Sequence, residues 1–555
     1  MCGAFSVVAL RAELAPPRWR NWLSRWMDGV EAGWAVPLLL TGFVAVWLIF
    51  LMIAYVGGDL HSDVLETWTL GRSIEWGYSK HPPLMGWAAR AWTIVFPLTN
   101  WSFQLLSLTN AAIGLWMVDL ITRRFASGDK RLFVLLLLML LPAYQFHAQR
   151  FNANAVLLPT WPLATYCFLR SFETRRADWA VAAGVAAALA MLGKYYSVFL
   201  LASFAVAALV HRERRAYFAS VAPWMSAATC FAALVPHIHW LATTGARPFA
   251  YALERHTGKA FVPSLVEAAL FVLAVAMLLA APAAICAFVA DGRLKSLRQI
   301  FFRQGFFQQV FRSMDGGLLL LSTIGIGTVV FPAVTAAGFG TDMPPIWALQ
   351  GLFLFVILMV CSLRDRIPRA YSANLATAVI GIALFAAFVA APIHAVYRND
   401  HPLHEGRNFY RQAAGEMTRL WHAQSDAPLA AVGGDDGLAF ALAFYSADHP
   451  VYDERIVHPH NEDLPAGVMI EGGWAALCYG EDIYCVQSME RTAARAQRFV
   501  RSDFVLQSTL LGQPGAIQRF TAFVVPPSPD KAIMPEPSSP GVAEDFSAIR
   551  RSHPY

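Results

Sequence analysis

Charged side chains are scarce in this chain: Asp, Glu, Lys and Arg make up 15% of its 555 residues, where a soluble domain carries roughly 25%. That scarcity excludes an ordinary soluble enzyme. No Walker loop, no GxGxxG after a strand, no HExxH and no CxxC pair occurs, so nucleotide-driven transport, dinucleotide chemistry, zincin proteolysis and a thiolate metal site lack support. A GxSxG nucleophile elbow is missing too. Cysteine is sparse, at seven residues. Cys167, Cys230, Cys286 and Cys361 lie within apolar stretches and read as inert small hydrophobes, and Cys2 reads as a free thiol. Cys478 and Cys485 stand in a polar region and can pair if that region faces an oxidising compartment.

What the chain has in abundance is apolar sequence, 57% of it, gathered into blocks of helix-spanning length. Read as spans, these are 33–55, 100–121, 132–148, 154–170, 178–193, 196–210, 217–240, 263–290, 316–337, 346–363 and 371–396, eleven in all. The segment LMGWAARAWTIVFP at 84–97 reads as interfacial or re-entrant rather than as a further span. The first apolar run follows an Arg/Trp-rich segment and is long enough to stay as an anchor, so no cleavable signal peptide is expected.

The net charge of +5 would suit nucleic acid were the basic residues clustered. They sit instead in short loops: RWRNWLSRW, TRRFASGDKR, SFETRRAD, HRERR, GRLKSLRQIFFRQGFFQQVFR and LRDRIPR, one at every second gap between blocks. This alternation is the positive-inside pattern, which puts those loops in the cytoplasm and leaves nucleic acid the weaker explanation. The predicted layout is a cytoplasmic segment 1–32, a transmembrane domain 33–396 with its first outer loop at about 56–99, an α/β domain outside the cytoplasm at 397–525, and a Pro/Ser-rich, disordered tail at 526–555.

The outer loops differ in kind from the inner ones. In YVGGDLHSDVLETWTLGRSIEWGYSKHPPLMGW, Asp59, Asp63 and Glu66 are spaced so that a helix would align three carboxylates on one face. Such a cluster above a bilayer can serve as a general base or hold a divalent cation between Asp59 and Asp63; the plainer reading is a solvated amphipathic helix lying on the membrane. Lys80 and His81 follow before Pro82 and Pro83. HAQRFNANAV adds Arg150, Asn152 and Asn154; GKYYS adds Lys194 and Tyr195; PHIHWLATTGARPFAYALERHTGK adds His237 and Tyr251. Lys194, in a tight hairpin between apolar blocks, either snorkels or binds something. Acids and bases converging on one cavity suit an anionic phosphate leaving group beside a hydroxyl that must lose a proton.

In family order, WGYSKHPPL after a first-loop acid, FNANAVLLPTWPL, GKYYSVFLL, PHIHWL and GLAFALAFYSADHPVY resemble the bacterial glycosyltransferases of the GT-C class. These are relatives of the dolichyl-phosphate-mannose protein mannosyltransferases and of the lipid A aminoarabinose transferase. The lysine before HPP and the FNAN segment most resemble the rhizobial-type transferases that add galacturonic acid to lipopolysaccharide. The resemblance implies an α-helical polytopic membrane protein of the bacterial inner membrane. It would move a sugar from a polyprenyl-phosphate carrier to a lipid or glycan acceptor on the periplasmic face, inverting the anomeric carbon. Carried onto this chain, the catalytic acid corresponds to Asp63, and Lys80, Arg150 and Lys194 would neutralise the departing phosphate. The family's acidic pair is contiguous, whereas here Val64 follows Asp63 and Glu66 takes the partner's place; a second family acid is Asn154 here. Both departures put metal dependence in doubt.

A lipid-linked sugar flippase or other polytopic transporter is the rival from a different class. Transporters place ionisable residues near the midplane and show repeat symmetry, whereas this chain gathers its polar residues at one membrane face. A scaffold or sensor working through its C-terminal domain is a third reading.

Overall fold

The computed structural model describes residues 18–250, 260–291, 315–341, 343–363, 366–402, 407–457 and 472–527. The predicted tail therefore falls almost wholly outside the described residues, as do Tyr251 and the basic loop at 292–312.

Sequence patterning explains why each apolar block is helical. In helix α2 (Ala35–Ala54) twenty residues without a charge rise about 30 Å, the thickness of a bilayer's hydrocarbon, and the helix satisfies every backbone group from within. It follows a short amphipathic helix α1 (Arg18–Asp28), in which Leu23, Trp26 and Met27 are buried while Trp22 faces outward. Helical structure occupies all the predicted blocks, but the helices differ in reach. Among the described residues, seven helices are long and apolar enough to cross a membrane, or eight if the pair Asp129–Met139 and Pro142–Gln149, bent by 73°, is one span. Eleven spans is thus more than the described helices support by length and composition. The bend has a local cause, since Pro142 lacks the N–H that would continue the ladder. The block after it begins only at Leu157, and helix Ala177–Gly193 ends at an extended Lys194 before a short 3₁₀ turn, Tyr195–Ser197.

The first loop carries helices α3 (Ser62–Gly71) and α4 (Leu84–Val95). α4 is twelve residues long, half a span, in keeping with an interfacial or re-entrant element. The two cross closely because Gly71 and Gly86 face each other: a Cβ on Gly71 would lie 2.4 Å from the Gly86 carbonyl oxygen. Helix α5 (Asn100–Thr122) then returns through the centre of the domain.

The small C-terminal domain is a five-stranded mixed sheet, β1 (Ala431–Gly434), β2 (Val451–Tyr452), β3 (Trp474–Tyr479), β4 (Val500–Leu510) and β5 (Gln513–Val525), in the order β2-β1-β3-β5-β4. β1 runs parallel to β2 and β3, and β5 is antiparallel to β3 and β4. Helix Asp436–Tyr445 makes the crossover from β1 to β2. β4 and β5 turn through Leu511 and Gly512, both at positive φ as a two-residue hairpin requires. Helix Tyr410–His422 buries Met417 and Trp421 beneath the sheet. Cys478 on β3 and Cys485 on helix Ile483–Ala493 form a disulfide, with Cα atoms 5.8 Å apart.

The sheet domain sits on the first loop. The Asp59 N–H donates to the Arg407 carbonyl (2.7 Å), the Leu60 N–H to the Tyr445 hydroxyl (2.9 Å), and the Arg72 guanidinium to the Pro450 carbonyl (2.6 Å). Tyr445 in turn donates to Asn100 at the start of α5 (2.8 Å). Trp68 meets Phe444 edge-on, with ring centroids 5.2 Å apart.

Candidate active site

His61 caps α3 by accepting the Asp63 N–H on Nδ1 at 3.1 Å, so the helix begins at Ser62 and carries Asp63 in its first turn, where a carboxylate suits the helix dipole. The three carboxylates predicted on one face are therefore divided. Asp63 and Glu66 share the helix; Asp59 precedes it and is turned toward the sheet domain. Its carboxylate accepts the Arg411 N–H at 2.9 Å and faces the Arg411 guanidinium at 3.4 Å. Burial pushes the Asp59 carboxyl up to about 6 against the pull of Arg411 and Arg407. With its oxygens so engaged, Asp59 does not fit as half of a cation site. Among the described residues, no group of three or more His, Cys, Asp or Glu side chains is placed to hold a metal ion.

The Asp63 side chain, 42% exposed, accepts from Asn152 Nδ2 at 2.8 Å. The Asn152 side-chain oxygen in turn accepts the N–H groups of Asn154 and Ala155, at 3.0 and 2.9 Å, which fixes the turn. Two further bonds locate that turn: Thr67 of α3 donates to the Phe151 carbonyl (3.2 Å), and Asn110 of α5 donates to the Ala155 carbonyl (2.8 Å). Asn154 reaches the other way and accepts from Lys194 Nζ at 2.5 Å, while the ammonium lies 4.3 Å from the centre of the Trp347 ring. The FNAN segment thus grips an acid with its first asparagine and a base with its second. Burial lowers the Lys194 ammonium to about 7, opposed by the Asp63 charge.

One turn along α3, burial raises Glu66 to about 8; Lys80 opposes this, and Asp63, Asp436 and Glu454 add to it. His81 Nε2 lies 3.9 Å from the Glu66 carboxylate, and its imidazole is driven down to about 3 by burial and by Lys194 and Lys80. At neutral pH the pair is mostly uncharged on both sides. Lys80 reaches the sheet domain, where its ammonium is 2.7 Å from Asp436 Oδ2; Tyr452 donates to the other Asp436 oxygen at 2.8 Å, and Ser79 donates to Glu454. Arg150 ends the turn His147–Gln149, two residues before Asn152.

Tyr195 and His237 form an adjoining wall. His237 Nδ1 meets the Trp76 carbonyl, which can only accept, so neutral Nε2 accepts from the Tyr195 hydroxyl at 2.9 Å. Tyr195 stacks on Phe249 with centroids 4.6 Å apart. The structure therefore brings together Asp63, Glu66, Lys80, His81, Asn154 and Lys194, sets Tyr195 and His237 beside them, and removes Asp59. Sequence reading named Asn152 among the outer-loop residues without giving it a role, and it left out Trp347, Asp436 and Glu454. One hint stood in GDDG: Asp435 caps its helix through the Leu438 N–H (3.0 Å), so the second aspartate is the one left for another task.

Residues 80–240 match the family model of dolichyl-phosphate-mannose-protein mannosyltransferase. No curated protein sequence matches the chain significantly. Among solved structures, the fold is similar to that of ArnT from Cupriavidus metallidurans bound to undecaprenyl phosphate, at 14% identity and a TM-score of 0.50, over 88% of this chain and 98% of that one. The apo state of the same protein gives 14% identity and a TM-score of 0.47 over 89% and 98% of the two chains. The oligosaccharyltransferase of Archaeoglobus fulgidus gives 12% and 0.38 over 84% and 69%; at these lower scores neither adds to the fold assignment. The chain thus shares the fold of ArnT, and the segment that matches the mannosyltransferase family model holds Lys80, the FNAN turn, Lys194 and His237.

Proposed function

We propose that this protein transfers a sugar, with inversion, from a polyprenyl-phosphate carrier to a hydroxyl of an envelope lipid or glycan at the periplasmic face of the inner membrane. The observation that carries this reading is the double grip of the FNAN turn, which sets the Asp63 carboxylate and the Lys194 ammonium on either side of one short segment. The acceptor oxygen attacks the anomeric carbon, its proton passes to Asp63, and the bond from that carbon to the phosphate oxygen breaks with its electron pair leaving on the phosphate. Lys194, with Lys80 and Arg150 of neighbouring outer loops, neutralises the charge that develops there. Asn152 aims the carboxylate. That ArnT was crystallised with undecaprenyl phosphate supports the choice of carrier.

The periplasmic side rests on the basic-loop alternation and agrees with the Cys478–Cys485 disulfide, a bond that persists in oxidising compartments. Alkaline phosphatase fused after residue 400 is expected to be active and a cytoplasmic reporter silent. The opposite result places the site on the wrong side for an envelope acceptor.

The test of the whole proposal is mass spectrometry of envelope lipids and polysaccharide from cells with and without the protein. One sugar, whether hexosyl, pentosyl or uronosyl, should vanish from one acceptor in the deletion strain. Unchanged envelopes with altered export of a lipid-linked sugar would favour a flippase instead.

A further inference from the structure

We infer that Asp436 of the sheet domain is a positioning residue that occupies, on Lys80, the place the carrier phosphate takes when it binds. This rests on the reading of Lys80 as a phosphate-binding group. The two oxygens of Asp436 are divided between the Lys80 ammonium (2.7 Å) and the Tyr452 hydroxyl (2.8 Å), and the first of these contacts spans 356 residues of sequence. Asp435 already caps the helix through its side chain, so that task does not fall to Asp436. Neither partner is fully buried: the Lys80 side chain is 19% exposed and that of Asp436 35%, which leaves room for an incoming anion. The neighbouring residue repeats the arrangement, with Ser79 donating to Glu454. The first loop is thereby clasped by two acids of the sheet domain on consecutive residues.

A carboxylate on an ammonium presents the same chemistry as a phosphate oxygen: an anionic acceptor in a charge-assisted hydrogen bond. Both cannot hold Lys80 together without crowding two anions beside the Glu454 carboxylate, and like charges so placed are costly. Arrival of the carrier phosphate therefore displaces Asp436. Displacement loosens the clasp between the first loop and residues 436–457, at the edge of the sheet domain that faces the site.

The test measures affinity of the purified full-length protein, in detergent, for undecaprenyl phosphate. Asp436→Asn, which removes the competing charge and keeps the shape, is expected to bind about tenfold tighter, the effect of losing one close charge pair. Asp436→Glu should return to the parent affinity. Asp436→Ser, smaller and still able to accept from Tyr452, should move in the same direction as Asp436→Asn if the latter folds poorly. Lys80→Met should bind weakly, and adding Asp436→Asn to it should gain nothing. In the parent protein, the carrier should also raise amide exchange within 436–457. Equal or weaker binding by both Asp436→Asn and Asp436→Ser overturns the inference, because a purely structural clasp would behave in that way. Parent protein that does not bind undecaprenyl phosphate at all overturns the proposed function, and the inference with it.

Discussion

Asp63→Asn should insert and fold as the parent does and lose transfer by about 10² to 10⁴, the usual cost of removing a positioned general base. Folding is spared for a local reason. The carbonyl oxygen of the introduced amide can still accept from Asn152 Nδ2, and His61 caps the backbone N–H at position 63 whatever the side chain there. What disappears is the ability to take a proton. Glu66→Gln is the necessary comparison, because Glu66, raised to about 8, is mostly protonated at neutral pH and is a poor base there. It should cost less than Asp63→Asn in assays at pH 7. If Glu66→Gln abolished transfer and Asp63→Asn did not, the base would lie one helical turn farther along α3. Full activity in both variants would sink the mechanism. Asp59→Asn should behave differently again, weakening the hold of Arg411 and loosening the sheet domain while the chemistry persists.

Lys194→Ala should lose most of its affinity for the lipid donor, and Lys194→Arg should keep part of it, since a phosphate held as a point contact needs charge more than shape. The lysine adds a pH signature. Its ammonium, lowered to about 7 by burial, is charged below that pH and loses its proton as pH rises through it. The phosphodiester of a sugar-loaded carrier keeps its single negative charge over the same range, so the change falls on the protein. Donor binding by the parent protein should thus weaken by about tenfold between pH 7 and pH 9 as the cation is lost. Lys194→Arg, charged throughout, should bind equally at both ends. A parallel decline in both proteins would assign the titration to another group, and a flat profile in the parent would mean that Lys194 stays charged or takes no part.

The residues differ in how far sequence alone could place them, and the division follows the range of the forces. Apolar blocks are legible because a bilayer has one thickness and forbids unsatisfied backbone, so length and composition alone signal a membrane helix. The count of spans was less legible: Pro142 bends one block and Lys194 separates two short helices, so of the described helices seven, or eight with the bent pair, are long and apolar enough to cross. Asp63 and Glu66 could be found together because helical spacing is local. Asp59 could not be separated from them, because the His61 cap that starts the helix at Ser62 is a detail of geometry and not of period. The site itself was decided by tertiary structure. Asn152 meets Asp63 across 89 residues, Lys194 meets Asn154 across 40, and Lys80 meets Asp436 across 356. No periodicity encodes such pairings. They arise when the packing of α3 and α5 against the FNAN turn, and of the sheet domain on the first loop, brings buried polar groups within reach of the partners that burial obliges them to find.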